Sequence, residues 1–400
     1  MIKAPRKKKC ICNKTKLLKQ ITGVPKPLDI TEVNKIRLNL FTERNSDGTR
    51  NLVLKGKDIY DRYKKRITDQ DVRAICLYIK ENPKRITKLD LSYNDLTDSG
   101  FFKLLKMILI KGRSSVINLN VMNNNLTKTT VENLAKYAKF IKLKYLRING
   151  NDFSDDDGGF MAKFLIDNES VQFLDIGETG QTLTSVAKIV AVLGDHLDGN
   201  STLKVLDFSR IIPLFNRYSY ETKWLAYHIE NLLTKNKTII ELHLQKNEFI
   251  GHDMEYIVRG LKCNDTLLYL DLGYNKIEDY GAELISKYLK EKPELILINL
   301  AGNSISDTGA RALNDGILDI LSTLKKYYYL RFLNIWGNKI GHDSCVVIQR
   351  MLISGALFQH TIDVKVYLFI YLFIYLFGNH TALIKKYNLN TKLLISTAKI

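Results

Sequence analysis

Paired cysteines, proline- or glycine-rich stretches and an apolar run long enough to span a bilayer are all missing from this sequence of 400 residues. Its five cysteines, Cys10, Cys12, Cys76, Cys263 and Cys345, are scattered and odd in number. No C-x-x-C pair is present to build a zinc cage or staple an extracellular cap, so a reducing, intracellular compartment is expected. Only six prolines and 23 glycines occur beside an apolar fraction of 45%, which excludes a mostly disordered chain and implies a buried core. The basic N-terminus is followed by no apolar stretch of signal-peptide length, so secretion is not expected.

Catalytic words are lacking too. There is no glycine-rich phosphate loop, no H-E-x-x-H and no G-x-S-x-G, and the seven histidines lie far apart. No catalytic, cofactor-binding or metal-ligating residue is therefore assigned, and no enzyme activity or small-molecule substrate is expected.

The longest apolar run, Val366 to Phe377 in "KVYLFIYLFIYLFG", has twelve residues. A spanning helix needs about 20, so no membrane anchor is expected. The recurring unit YLFI can be spelled TAT TTA TTT ATT, three copies of the tetranucleotide TATT, and Lys365–Val366 is compatible with AAG followed by GT, the letters of a splice donor. Residues 365–400 are accordingly an atypical apolar tail, expected to be translated intron or an alternative end from Val366 onward.

Acidic residues are absent from both ends. Residues 1–28 carry nine basic side chains and residues 366–400 four, so the formal net charge of +18 leaves only +5 for the 337 residues between. The first 28 residues read as a basic, disordered tail, and "PRKKK", Pro5 to Lys9, suits nuclear import or weak nucleic-acid binding.

What the middle does have is a repeat. "LDLSYN" ends at Asn94, "LNVMNN" at Asn124, "LRINGN" at Asn151, "LHLQKN" at Asn247, "LDLGYN" at Asn275, "INLAGN" at Asn303 and "LNIWGN" at Asn338. This is the leucine-rich-repeat word LxLxxN. "LDIGET" (Leu174 to Thr179) and "LDFSRI" (Leu206 to Ile211) keep the apolar pair and lose the Asn, and a divergent copy begins at "LVLKGK", Leu52 to Lys57. Successive copies are 27–36 residues apart, which leaves room for a helix after each strand. Asp279 and Asp307 fall near the expected helix starts. The expected fold is therefore α/β, a right-handed solenoid or horseshoe of strand-turn-helix units about 28 residues long. A divergent capping region is expected over residues 29–85 and the repeat domain over 86–364. Each terminal Asn is expected to satisfy backbone groups of the neighbouring turn, a structural role.

Between Ile86 and Val364 the chain resembles the intracellular ribonuclease-inhibitor-type leucine-rich-repeat superfamily. The widened repeat around Pro213, "LDLGYNKIEDYGAELISKYL" and "LNIWGNKIGHDSCVVIQRMLISG" are similar, in order and spacing, to the family of leucine-rich repeat-containing protein 34. That resemblance implies nuclear, nucleolar and cytoplasmic location, nucleolar protein partners and a link to ribosome biogenesis in stem or germ-line cells. Residues after Val364 and the N-terminal region depart from it. A horseshoe of this type can also stimulate the small nuclear-transport GTPase, but those activators carry a strongly acidic C-terminal segment that is missing here.

Strand alternation sends one set of side chains to the concave face. One row reads Asp90, Asn120, Arg147, Asp175, Asp207, His243, Asp271, Asn299 and Asn334; its neighbour reads Lys88, Asn118, Tyr145, Phe173, Val205, Glu241, Tyr269, Leu297 and Phe332, with Trp336 at the last strand's exit. Acids and amides beside aromatics do not suit a phosphate backbone, so nucleic acid is not expected on the horseshoe. They suit a protein partner, with aromatic contact area and acids that steer a basic segment. The partner-binding candidates are Asp90, Tyr145, Arg147, Phe173, Asp175, Asp207, Glu241, His243, Tyr269, Asp271, Phe332 and Trp336. Two bland readings stand beside this one: Trp336 packed under a C-terminal cap, and an ordinary solvated row of acids.

Overall fold

A computed structural model describes residues 38–82, 85–110, 114–154, 159–194, 199–211, 222–291, 295–323, 332–341 and 344. The basic run at Pro5 to Lys9, Cys10, Cys12, Pro213, Cys345 and the tail 365–400 lie outside them.

Each LxL word becomes a short strand because its two apolar side chains can be buried only if the backbone between them is extended. In chain order the strands are β1 (Thr42–Arg44), β2 (Arg50–Val53), β3 (Ile86–Asp90), β4 (Asn118–Asn120), β5 (Tyr145–Arg147), β6 (Phe173–Asp175), β7 (Val205–Asp207), β8 (Glu241–His243), β9 (Tyr269–Asp271), β10 (Leu297–Asn299) and β11 (Phe332–Asn334). They form one eleven-stranded sheet in sequence order. Only the β1–β2 pair is antiparallel; every later pair is parallel. The divergent copy at Leu52 holds the same register as the others, Leu52 opposite Leu89.

Helices on the other side of the sheet complete the units. The segment Glu278–Glu291 buries Ala282, Ile285 and Leu289, three positions at helical spacing, against the backs of the strands. Inward strand residues such as Leu270 and Leu272 are completely buried, each contributing about 1.5–3 kcal/mol of burial free energy. The degenerate words still form β6 and β7 in register, because the apolar pair and not the Asn sets the strand.

The Asn side chains bond backbone groups of their own and the adjacent turns. Asn275 donates Nδ2 to the carbonyls of Leu244 (3.1 Å) and Leu272 (2.7 Å) and accepts at Oδ1 from the N–H of Asn247 (2.9 Å) and Phe249 (3.3 Å). Asn94, Asn124, Asn151, Asn247, Asn303 and Asn338 reach the equivalent carbonyl of the preceding turn. Where the word ends in Thr179, its hydroxyl donates to the Ile176 carbonyl and Gln181 bonds the hydroxyl, a partial substitute.

Before the last letter of each word, Asn in seven copies and Thr179 or Ile211 in the two degenerate ones, the chain must reverse from strand to loop. Tyr93, Asn123, Gly150, Glu178, Arg210, Lys246, Tyr274, Gly302 and Gly337 all take a left-handed conformation, φ from 48° to 72°. That geometry costs a non-glycine residue about 1–2 kcal/mol, so the recurrence shows how strongly the stacking dictates it. Gly56 is obligatory for another reason: a Cβ there would lie 1.6 Å from the Tyr93 carbonyl oxygen.

Two further series escaped the sequence reading. Asp98 accepts from the N–H and hydroxyl of Thr127 in the next unit, and Asp279 does the same for Ser306. Asp307 accepts from the Gly341 and Ser344 N–H groups. These acids at helix starts therefore tie one unit to the next. Secondly, Asn168, Asn200, Asn236 and Asn264 sit buried where a helix turns toward the following strand. Each donates to a carbonyl of the preceding unit and accepts from N–H groups two and three residues ahead. The signal was legible as N-x-[ST] followed by an aliphatic residue.

Candidate partner-binding face

The parallel register aligns both concave rows as the alternation requires. Arg147 pairs with Asp175, Asp175 with Asp207, Asp207 with His243 and His243 with Asp271; alongside run Tyr145, Phe173, Val205, Glu241 and Tyr269. Phe332 stands opposite Leu297 at the end of the second row.

Exposure is the main correction. Asp90 and Asp271 are each 2% exposed and Asp175 7%, so these acids are not solvated side chains reaching outward. Their carboxylates fold back onto their own strand ends. Seven of the nine row residues, Asp90, Asn120, Asp175, Asp207, Asp271, Asn299 and Asn334, accept from the N–H two positions ahead. This is the local turn that Asp and Asn make more readily than other residues. Most of the acidic row is thus committed to closing the strand-to-loop turn.

Arg147 and His243 are the exceptions. A guanidinium has no lone pair to offer an N–H, and a doubly protonated imidazole has none either.

His243 is held by its surroundings. Its Nε2 lies 2.7 Å from Glu241 Oε1 and its Nδ1 3.7 Å from Asp271 Oδ2, while its ring meets Tyr269 at 5.1 Å between centroids. Burial alone lowers its pKa, but the carboxylates of Asp271, Asp207 and Glu241 outweigh that and push it up to about 9. The imidazolium is therefore the counter-ion of this cluster at neutral pH. Asp271 also accepts from the Gly273 N–H (2.9 Å), Asn299 Nδ2 (2.9 Å), Gln245 Nε2 and the Tyr269 hydroxyl (3.3 Å). Burial disfavours its charge, yet these donors and His243 hold its carboxyl below the usual range. Asp175 has fewer donors, and burial together with the Asp207 charge raises it to about 7.

Arg147 is held differently. Its guanidinium carbon stands 4.8 Å from the centre of the Phe173 ring, which packs against Tyr145 with centroids 5.9 Å apart. The guanidinium makes no hydrogen bond or ion pair among the described residues, and Tyr145 is 43% exposed. A stack of this kind fixes the plane of an otherwise flexible side chain. At the far end Trp336 is 60% exposed.

Other chemistry is sparse. Cys76 is buried, its thiol pushed up to about 12 by desolvation, and Cys263 is exposed; both are free. Among the described residues no group of three potential ligands could hold a metal ion, and no helix is long and apolar enough to cross a membrane.

A family profile described as "Leucine Rich repeat" matches residues 86–105, 263–286 and 295–313. A comparison with curated proteins finds no match. The leucine-rich repeat-containing protein LegL7 of Legionella pneumophila has a similar solved structure, with a TM-score of 0.52, 16% identity, and coverage of 82% of this chain and 96% of that one. The yeast complex of Rad7 and Elc1 gives a TM-score of 0.34 at 14% identity, covering 82% of this chain and 92% of the other. The mouse RP105/MD-1 complex gives 0.38 at 17% identity, covering 66% and 40%. With its sheet in sequence order and its repeated strand word, the chain has the fold of a leucine-rich-repeat solenoid.

Proposed function

We propose that this protein is a non-enzymatic scaffold that holds a protein partner on its concave face. The observation that carries the reading is the group formed by Tyr145, Arg147 and Phe173, exposed or half-buried side chains that the repeat does not need. Rigid aromatic area beside an arginine is the composition of a binding hot spot. Asp207 and Glu241, both half-buried, extend the surface toward Tyr269. Buried Asp90, Asp175 and Asp271 support it from beneath. Phe332 and Trp336 are proposed as an outlying contact. The division into a basic tail (1–28), a capping region (29–85), the repeats (86–364) and an atypical tail belongs to the same proposal. A nucleolar partner and a role in ribosome biogenesis rest on the resemblance to the leucine-rich repeat-containing protein 34 family alone.

The test is affinity capture with the full chain, comparing the native protein with the double variant Asp207→Lys, Glu241→Lys. Partners that elute with the native chain should be lost from the variant. Retention of every partner by the variant would sink the concave-face reading. A GTPase assay with excess protein separates the activator alternative, since acceleration of hydrolysis overturns the scaffold.

A further inference from the structure

At one position of its concave row the chain gives up a structural residue. Seven of nine row residues supply an acceptor to the N–H two positions ahead, and Arg147 cannot. The same unit holds a buried side-chain oxygen, Asn149 Oδ1, with no partner. Local rules broken without local compensation mark functional positions. The other exception, His243, is compensated by Glu241 and Asp271. Arg147 is not.

We propose that Arg147 is the specificity point of the concave face, a fixed two-pronged donor for the carboxylate of an acidic residue in the partner, with Phe173 and Tyr145 receiving an apolar neighbour of that residue. This deepens the scaffold reading and rests on it.

Charge complementarity is the argument. The guanidinium carbon lies 4.8 Å from the centre of the Phe173 ring, a contact that restricts the side chain before a ligand arrives. A planar fork matches a carboxylate with two parallel bonds, which a lysine cannot do. None of its neighbours in the row forms an ion pair with it among the described residues. Asn120 on β4 is uncharged, and burial with the Asp207 charge disfavours ionisation of Asp175 on β6, although the charge of Arg147 itself works the other way. The donors of Arg147 are therefore left for a ligand, while Tyr145 and Phe173 offer the adjoining apolar area.

The experiment uses two degenerate fluorescent nonapeptide pools and the full chain, read by anisotropy. In one pool the centre is fixed as Phe-Glu-Phe, in the other as Phe-Gln-Phe. The acidic pool is expected to bind about tenfold tighter, the order expected for a charge-assisted bidentate contact. Arg147→Gln should abolish the difference, and Arg147→Lys should restore only part of it. Arg147→Asn should abolish it while raising the melting temperature, because the asparagine replaces the missing turn acceptor; a purely structural Arg147 would lower it. Equal binding of the pools, no binding of either, or discrimination that survives Arg147→Gln overturns the proposal. The two readings fail separately. Cellular partners lost on Asp207→Lys, Glu241→Lys but indifferent to Arg147→Gln remove the carboxylate site and leave the scaffold; partners indifferent to both variants remove the scaffold.

Discussion

Two positions in the concave row depart from the Asp/Asn pattern, and the neighbourhoods of Arg147 and His243 answer that departure in opposite ways. Around His243 the protein closes the exception internally, with Glu241 and Asp271 as partners and Tyr269 against the ring. Around Arg147 it provides a stacking surface and no ion-pair partner among the described residues. The lesson is that a break in a repeat pattern does not by itself mark a functional site. What distinguishes the two is whether the neighbours satisfy the new side chain.

The contrast can be broken by substitution. The scale is set by a position with no function outside the fold. Asn275→Ala removes hydrogen bonds that join two turns and should cost about 3 kcal/mol or more, measured by urea denaturation. His243→Ala should come next, at about 2 kcal/mol at pH 7, because it leaves the carboxylates of Glu241 and Asp271 without their counter-ion. If it costs no more than an exposed substitution, the closed-network description of His243 fails.

That cost has a definite pH dependence. The folded pKa of His243 lies above its unfolded value, so its contribution is full below pH 6.5 and is lost as pH rises through about 9. The gap between native protein and His243→Gln should therefore narrow from pH 7 to 10. Asp175 is also raised, from 3.8 to about 7, and its contribution is likewise present at low pH and lost through neutrality. Asp175→Asn, which keeps an acceptor for the Gly177 N–H, should stabilise the protein at pH 8 by about 1 kcal/mol and do little at pH 4. Thermal melts at the two pH values check the sign.

The smallest effects belong to the open position. Arg147→Asn should gain about 0.5–1 kcal/mol by restoring the turn acceptor, whereas Arg147→Gln should stay within about 0.5 kcal/mol of the native protein. A large loss in either would show that Arg147 is structural after all.

The sheet was legible in the sequence because a single word, LxLxxN, encodes strand, burial and turn together. Leu270, Leu272 and Asn275 could be placed from six letters. Membership of the concave rows was legible for the same reason, since alternation has a period of two and leaves no freedom. Whether a row residue reaches outward was not. Asp271 and Arg147 occupy equivalent positions, yet one curls onto its own backbone and the other lies across a ring, and that depends on hydrogen-bonding chemistry and not on position. Two partners of His243, Asp207 and Asp271, were hidden because only stacking brings them beside it, whereas Glu241 precedes it by two residues on β8. The left-handed residue before the last letter of each word was masked by its variety, from Gly150 to Tyr274 to Arg210.

The second Asn series has a consequence for where this chain can fold. Asn168-Glu-Ser170, Asn200-Ser-Thr202, Asn236-Lys-Thr238 and Asn264-Asp-Thr266 each spell the acceptor for N-linked glycan transfer, a word normally found on surface loops of secreted proteins. Here the side-chain nitrogen that would carry the sugar is buried and donates to a carbonyl of the preceding unit. A glycan attached to the unfolded chain would remove one of those donor hydrogens and force a bulky polar group between two stacked units. Directing the chain into a glycosylating compartment with an appended leader should yield protein modified at these four positions and unfolded, and replacing their four Ser/Thr by Ala should confine the modification to the words at Asn13, Asn125 and Asn379. Protein glycosylated at any of the four buried Asn that still melts cooperatively would contradict this. The solenoid's internal stitching is therefore also a chemical restriction on the compartment in which it can be made.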